Sequence, residues 1–575
     1  MGTILLMLIS FIGYIVAYKT YGRYIGRKIF NVSGSAEVPS QTKKDGIDYV
    51  PTKRWVIFGH HFTSIAGTGP IVGPAIGIIW GWVPAMIWIF FGSIFMGAVH
   101  DFGSLIISLR NEGKSISEVA ARYIGPRVRY IFFFIVFFEL LIVIAVFCLV
   151  IAIIFDEYPQ SIFPVWMEIP IALGLGYAIY KRSAGIAVST VIAVVLMYIT
   201  VAAGHFIYPE SMPGLGSIPP EGVWAIILLI YAFIASTLPV TTLLQPRDYI
   251  NAWQLIIAMI LLFFGVLASG LFGGLEIVAP AFNPGPAGAP PIWPFLFVTI
   301  ACGAISGFHS LVSSGTSSKQ ISSENDARFV GYGSMLTEAA LATLAVIAVA
   351  AGIGLLKSET TGLAGIEAWN HHYSSWAAAI GLKAKMGAFV EGSANMLTFI
   401  GIPFFLGKII IGVFVASFAG TTLDSATRIQ RYIVTELSSG LKMKVMTGKY
   451  AATAFAVITA AALAFATGAD GKGALTLWPM FGAVNQLLAA LALLVLSIYL
   501  KKRGGLKFLV TAIPCVFMLI MTVWSVIFNQ IDFAHKSNIL LSVINGIMIL
   551  LAVWMIIEGI IVFIKPGMEN GTQNP

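Results

Sequence analysis

GHHFTSIAGTGPIVGPAIG, residues 59 to 77, is apolar enough to enter a bilayer, yet it cannot be one continuous helix. Pro70 removes a backbone donor, and Gly67 and Gly69 loosen the chain on either side of Thr68. Irregular backbone facing lipid leaves polar groups without partners. A break inside the hydrocarbon therefore survives only where protein buries it or where it lines a cavity. Discontinuous helices of this kind form the midplane binding sites of transporters, which makes Gly67, Thr68, Gly69 and Pro70 candidate substrate contacts.

Working outward, the whole chain has the character of a membrane protein. Of 575 residues, 58% are hydrophobic and 10% charged, and runs of about 20 apolar residues recur along the length. We place fifteen spans, from 2–18 to 539–564. With the N-terminus outside, 28 of the 34 Lys and Arg fall on the inner side, so the net charge of +8 reflects topology rather than a nucleic-acid footprint. The C-terminus is then cytoplasmic. The first span has Lys19, Arg23, Arg27 and Lys28 after it and no evident cleavage site, so it is expected to stay as an anchor. Cys148, Cys302 and Cys515 each lie in an apolar run and suggest neither a disulfide framework nor a metal site.

A second interruption is expected in the span 222–244, where Ser236-Thr237-Leu238-Pro239 repeats the small, threonine, variable, proline pattern of Gly67–Pro70. The two breaks would run in opposite directions five spans apart, as in a five-plus-five inverted repeat. The expected division is 1–54 as anchor helix and loop, 55–208 and 209–421 as the two repeats with an outer loop at 356–397, and 422–575 as accessory helices. Half-helices restarting at Ile71 and Val240 would offer unpaired amides and a positive dipole end to an anion. Ser236, Thr237 and Pro239 join the candidate substrate contacts on that ground. A carboxylate suits such a seat, and freed carbonyls would also accept a cation.

Two helical faces are candidates for ion coupling. In span 293–316, Ser306, Ser310, Ser313 and Ser317 share one face, with His309 and Ser314 at its borders. In span 82–109, Gly97, Asp101, Ser104 and Ser108 do the same, with His100 at the edge. An ionised group at bilayer centre costs on the order of 3 kcal/mol or more, so Glu139, Glu338 and Lys408 are expected to be neutral, paired or beside water. His60 and His61 sit near the cytoplasmic start of the first broken helix. The coupling candidates are His61, Asp101, His309, Ser313, Ser314, Thr316 and Glu338: protons through His309 or Glu338, or sodium through the hydroxyls of Ser313, Ser314 and Thr316. No other metal site and no cofactor is expected. Phosphate-loop, zincin and nucleophile-elbow motifs are absent, so an enzyme is not indicated.

At these positions the chain resembles the carbon starvation protein family of bacterial inner-membrane transporters. The resemblance lies in RWVIFGHHFTSIAGTGPIVGP, the His100–Phe102 triplet, LPVTTLLQPRDY, WPFLFVTIACGAISGFHSLVSSGTSSKQ, ENDARFVGYGSMLTEA and LDSATR from Leu423 to Arg428. It implies a leucine-transporter-like five-plus-five fold and proton-coupled uptake of peptides or pyruvate across the plasma membrane during carbon starvation. It singles out Gly59, His60, His61, Gly67, Gly69, Pro70, Asp101, Pro239, Pro246, Arg247, Asp248, His309, Ser313, Ser314, Gly315, Thr316, Glu338 and Asp424. The outer loop and the C-terminus are shorter than in long family members. The alternatives are a sodium-coupled carboxylate or amino-acid symporter, a channel or a membrane sensor. The expected partners are a small-molecule or peptide substrate and the lipid bilayer.

Overall fold

The computed structural model describes residues 2–182, 185–207, 213–358, 361–379 and 381–564. Lys565, counted above on the inner side, lies outside them. Among the described residues, helices dominate and the only strand-like pairings are two isolated bridges. Thirteen helices among the described residues are long and apolar enough to cross a membrane. Of the fifteen expected spans, the other two are a shorter apolar helix at Lys449–Ala464 and a helix broken within 292–315, and neither reaches that length unbroken.

In chain order the elements used below are α1 (Gly2–Lys19), α2 (Arg54–Ala66), α3 (Gly69–Gly77), α4 (Trp82–Gly92), α5 (Ala98–Leu109), α6 (Ile116–Tyr123) and α7 (Pro126–Glu157). Then follow α8 (Ile162–Gly176), α9 (Ile186–Ile207), α10 (Pro220–Thr237), α11 (Leu244–Phe272), α12 (Ile292–Thr299), α13 (Gly307–Gly315) and α14 (Ser334–Ile347). The last are α15 (Gly365–Tyr373), α16 (Leu382–Thr398), α17 (Phe404–Gly440), α18 (Lys449–Ala464), α19 (Trp478–Lys502), α20 (Leu509–His535) and α21 (Ile539–Ile564).

The first interruption falls where the sequence places it, between Ala66 and Gly69. The second does not. Leu238-Pro239 ends α10 outright, residues 238–243 turn, and Leu244 begins a complete helix of 29 residues instead of a half-helix restarting at Val240. The second discontinuous helix lies in the span 293–316, where α12 stops at Thr299 and α13 begins at Gly307.

Packing follows these two breaks. The long helices α7 and α17 lie against each other. The first broken helix packs through α2 on α11 and through α3 on α14, while the second packs through α13 on α19 and on α5. Each broken helix thus meets a partner that follows it within its own stretch of chain and one from the other stretch. This pairing differs from the expected division at 208 and 421. The α8–α9 pair packs mainly on itself and on α11, outside that reciprocal set, and α20 and α21 pack on α19.

Candidate functional site

Gly67 takes φ +48°, ψ −145°, a conformation that glycine adopts without the steric penalty of a side chain. A Cβ there would stand 2.6 Å from Thr422 Oγ1 and 2.9 Å from the Phe147 ring. Across the centre, Gly303 at φ +89° turns the chain between α12 and α13. The two breaks touch: a Cβ on Gly69 would lie 2.4 Å from Cys302 Sγ, and one on Gly303 would lie 3.7 Å from Pro70.

Above this contact stands a cavity of about 620 Å³. Thr68, Gly69 and Cys302 line it, as do Phe147, Val298 and Phe481, and it extends to Trp376, Asp532 and Lys536. At this end Trp80 packs on Trp376 with ring centroids 5.3 Å apart, and the exposed pair Lys536 and Asp532 closes at 2.8 Å. The start of α3 belongs to the cavity lining; Pro70 has no amide and Ile71 and Val72 N–H donate to Thr68 O at 3.2 and 2.9 Å, which among the described residues leaves Gly69 N–H open. The start of α13 is already satisfied, because Asn485 Oδ1 accepts from Phe308 N–H at 2.9 Å. Of the two restarted helices, only α3 opens its first turn to the cavity.

Beside Cys302 runs a buried acid–imidazole–acid chain. His309 on α13 places Nδ1 2.9 Å from Asp101 on α5 and Nε2 3.3 Å from Glu338 on α14, and all three side chains are fully buried. Gly303 N–H, freed by the break, donates to the other Glu338 oxygen at 3.0 Å, and His100 Nδ1 lies 2.8 Å from Asp101. Asp101 fixes Nδ1, while His309 Nε2 and the facing Glu338 oxygen stand in ion-pair range without a hydrogen bond between them, and a proton gained or lost by the pair would change the charge beside the break. The ligand atoms of Cys302, His309 and Glu338 lie within 4.8 Å of one another, so a metal ion would compete with the contacts they already make.

The opposite end is sealed. His60 Nδ1 meets Asp248 at 2.5 Å, tying α2 to α11, and Gln245 donates to Thr52 at 2.9 Å and to Gln320 at 2.5 Å. Below them, Asp48 accepts from Arg428 at 2.9 Å and from Tyr432 at 2.6 Å. Burial would push the Asp48 carboxyl up, but Arg428, Arg431 and Lys319 outweigh it and hold the group below its usual range.

Arg428 also donates to the carbonyl of Leu238, and Arg431 to that of Ser236 at 3.1 Å. The Ser236–Pro239 motif is thus a helix C-terminus capped by arginines, where orphan carbonyls and the negative dipole end favour cations. Ser236, Thr237 and Pro239 are absent from the cavity lining, which corrects the expectation that they face the same site as Gly69.

The hydroxyl candidates are largely committed locally. Ser314 donates to Ser310 O at 2.7 Å and accepts from Ile116 N–H at 3.0 Å, and Thr316 donates to Val312 O at 3.1 Å, while Ser313 Oγ has no hydrogen-bond partner among the described residues. His61 pairs with Ser317 at 2.8 Å and stands within electrostatic reach of Asp101 and His309. Glu139 is fully buried with neither oxygen hydrogen-bonded among the described residues, and Lys408 stacks over Phe404 at 4.7 Å. Sequence reasoning missed Cys302 as a site residue, Asn485 as the cap of α13, and Glu168. The last lies 3.4 Å from Arg247 on α11, which also pairs with Asp424. A glutamate inside the apolar run 165–180 was the available signal for it.

The family model described as carbon starvation protein CstA matches residues 2–525. A Campylobacter jejuni protein named peptide transporter CstA is 32% identical, over 92% of this chain and 80% of its own length. A Bacillus subtilis protein of the same name is 31% identical, over 96% of this chain and 94% of its own. The pyruvate/proton symporter BtsT of Escherichia coli is 32% identical, over 89% of this chain and 79% of its own. Among solved structures, MhsT in complex with L-phenylalanine aligns over 89% of this chain and 98% of its own, at 12% identity and a TM-score of 0.45.

Proposed function

The chain belongs to the carbon starvation protein family, and we propose that it is a proton-coupled secondary importer of small carboxylate-bearing nutrients, peptides or pyruvate. The observation that carries this reading is the cavity whose base is formed by two touching helix breaks, open at one end and sealed at the other. The Thr68–Gly69 end of α3 seats the carboxylate, and the apolar walls above it accommodate side chains. A volume of about 620 Å³ lies in the range of sites for drug-sized ligands, which favours peptides over a three-carbon acid.

The inner side is the end carrying Asp48 and most of the basic residues, so this conformer faces outward with its N-terminus outside. The reciprocal packing supports halves spanning 54–272 and 292–502, with α8–α9 inserted in the first, rocking about the contact between Gly69 and Cys302. Coupling by protons is supported by the relative named as a proton symporter and by the Asp101–His309–Glu338 chain beside the break. Sodium at Ser313, Ser314 and Thr316 is the weaker alternative, because two of those three hydroxyls already serve their own helix.

Counterflow in proteoliposomes tests the function. Vesicles preloaded with unlabelled dipeptide, tripeptide or pyruvate should accumulate the labelled form transiently without an ion gradient. A flux without such overshoot for any of these substrates means a channel or another cargo.

A further inference from the structure

Away from the central cavity, a second hollow of about 350 Å³ opens in the elbow between α5, α6 and the start of α7. Its end of the molecule is that of the Asp48 latch, since the adjoining Glu112 pairs with Lys43 at 2.5 Å. Lys114, Arg122 and Arg129 line it with Glu118 and Tyr130, and Pro126, the first residue of the 32-residue α7, is also part of the lining.

The cations are incompletely spent. Glu118 pairs with Arg129, whose guanidinium also lies 5.5 Å from the Phe133 ring centre and whose buried Nε has no hydrogen-bond partner among the described residues, and Arg122 donates to Asn111 at 2.8 Å. Among the described residues the Lys114 ammonium makes no hydrogen bond or ion pair. The lining sets three cations against the one carboxylate of Glu118, with Glu112 facing Lys114 and Arg122 and Glu436 facing Arg129 from beside it, and at the positive end of a long helix this lining favours an anion with several acceptor oxygens. Arginine forks match phosphate geometry, and basic pockets between helices at the inner surface are where anionic headgroups bind. The neighbouring α6 is amphipathic, with Ile116, Val119 and Ala120 buried and Arg122 exposed.

We propose that this hollow binds the phosphate of an anionic phospholipid headgroup. Its placement at the inner leaflet rests on the orientation given above. Ile116 N–H donates to Ser314 on α13 at 3.0 Å, so a headgroup that orders α6 also steadies the second broken helix.

The test uses the whole protein in a phosphate-free detergent, where sidedness plays no part. Thermal unfolding and native mass spectrometry are followed with short-chain phosphatidylglycerol, with phosphatidylcholine and with inorganic phosphate. Phosphatidylglycerol should stabilise and remain bound, phosphatidylcholine should not, and Lys114→Gln with Arg122→Gln should weaken binding about tenfold or more, as expected for lost charge-assisted bonds. A response to inorganic phosphate that matches the lipid and is lost in the same variant keeps the anion site and overturns the lipid source. Equal binding of phosphatidylglycerol by wild type and variant, or an equal response to phosphatidylcholine, overturns the site. If the double variant fails to fold, Arg122→Lys keeps the charge and loses the fork, and unchanged retention of phosphatidylglycerol in it overturns the proposal. Orientation is read separately: a Lys114→Cys labelled only from outside would sink the inner-leaflet placement and leave the phosphate chemistry standing.

Discussion

At Gly69 the space for a side chain is already occupied, since a Cβ would stand 2.4 Å from Cys302 Sγ and 2.5 Å from its Cβ. Gly69→Val should therefore separate the two breaks and abolish counterflow. Gly69→Ala alone should lose most of it, and Gly69→Ala combined with Cys302→Gly should recover a substantial part. Recovery failing in a folded double variant would mean that the contact is not the fulcrum.

Lys385 makes a residue-scale prediction of another kind. It is fully buried on α16, donates to His372 O at 2.8 Å, lies 3.6 Å above the Tyr373 ring, and burial pushes its ammonium down to about 7. An unfolded lysine titrates near 10.4, so between about 7 and that value the unfolded chain holds more protons and stability rises with pH. Raising the pH from 7 to 9 should lift the Tm of the wild type relative to Lys385→Met. A constant gap between them would show that the amine is charged in place.

At the scale of elements, the first break was legible because Gly67 and Pro70 each carry a local reason to interrupt a helix. The second was not. Residues 300–306, IACGAIS, hold no proline, and the turn depends on Gly303 at a positive φ, in a run that reads as continuously apolar. Pro239 misled for the complementary reason: a proline just past a helix end has the same local sequence as one in mid-membrane, and only Arg428 and Arg431, almost two hundred residues away, distinguish the two. The acid–imidazole–acid chain was half legible, since Asp101, His309 and Glu338 stood out singly while their convergence came from three helices.

The same arginines make the inner latch testable. Asp48 is held charged below the ordinary carboxylate range, so the latch should persist through physiological pH and fail only as pH falls through that lowered value. Asp48→Asn removes the charge that faces Arg428 and Arg431. In a Gln320→Cys background, which already lacks the Gln245–Gln320 bond, it should raise the labelling rate from the inner side several-fold, and an unchanged rate would show that the His60–Asp248 and Gln245–Thr52 contacts suffice to hold the gate.

At the scale of the whole molecule, the question is what drives two halves past a shared contact. A coupling ion must interact differently with the two conformations, or it shifts nothing. The Asp101–His309–Glu338 chain meets this need because it joins α5 and α14 to α13 and sits against the Gly303 amide, so its charge is felt where the break would move. Thr316 bonds along its own helix, and Ser314, although it accepts from Ile116 N–H on α6, carries no titrating charge across that link. Uptake into sodium-free vesicles should therefore follow an imposed inward proton gradient. It should fall at least tenfold in Glu338→Gln and in His309→Gln, while counterflow, which needs no net driving force, should be reduced less. Uptake that follows only a sodium gradient at equal pH, and survives both substitutions, would falsify proton coupling and return the stripe around Ser313 as the ion site.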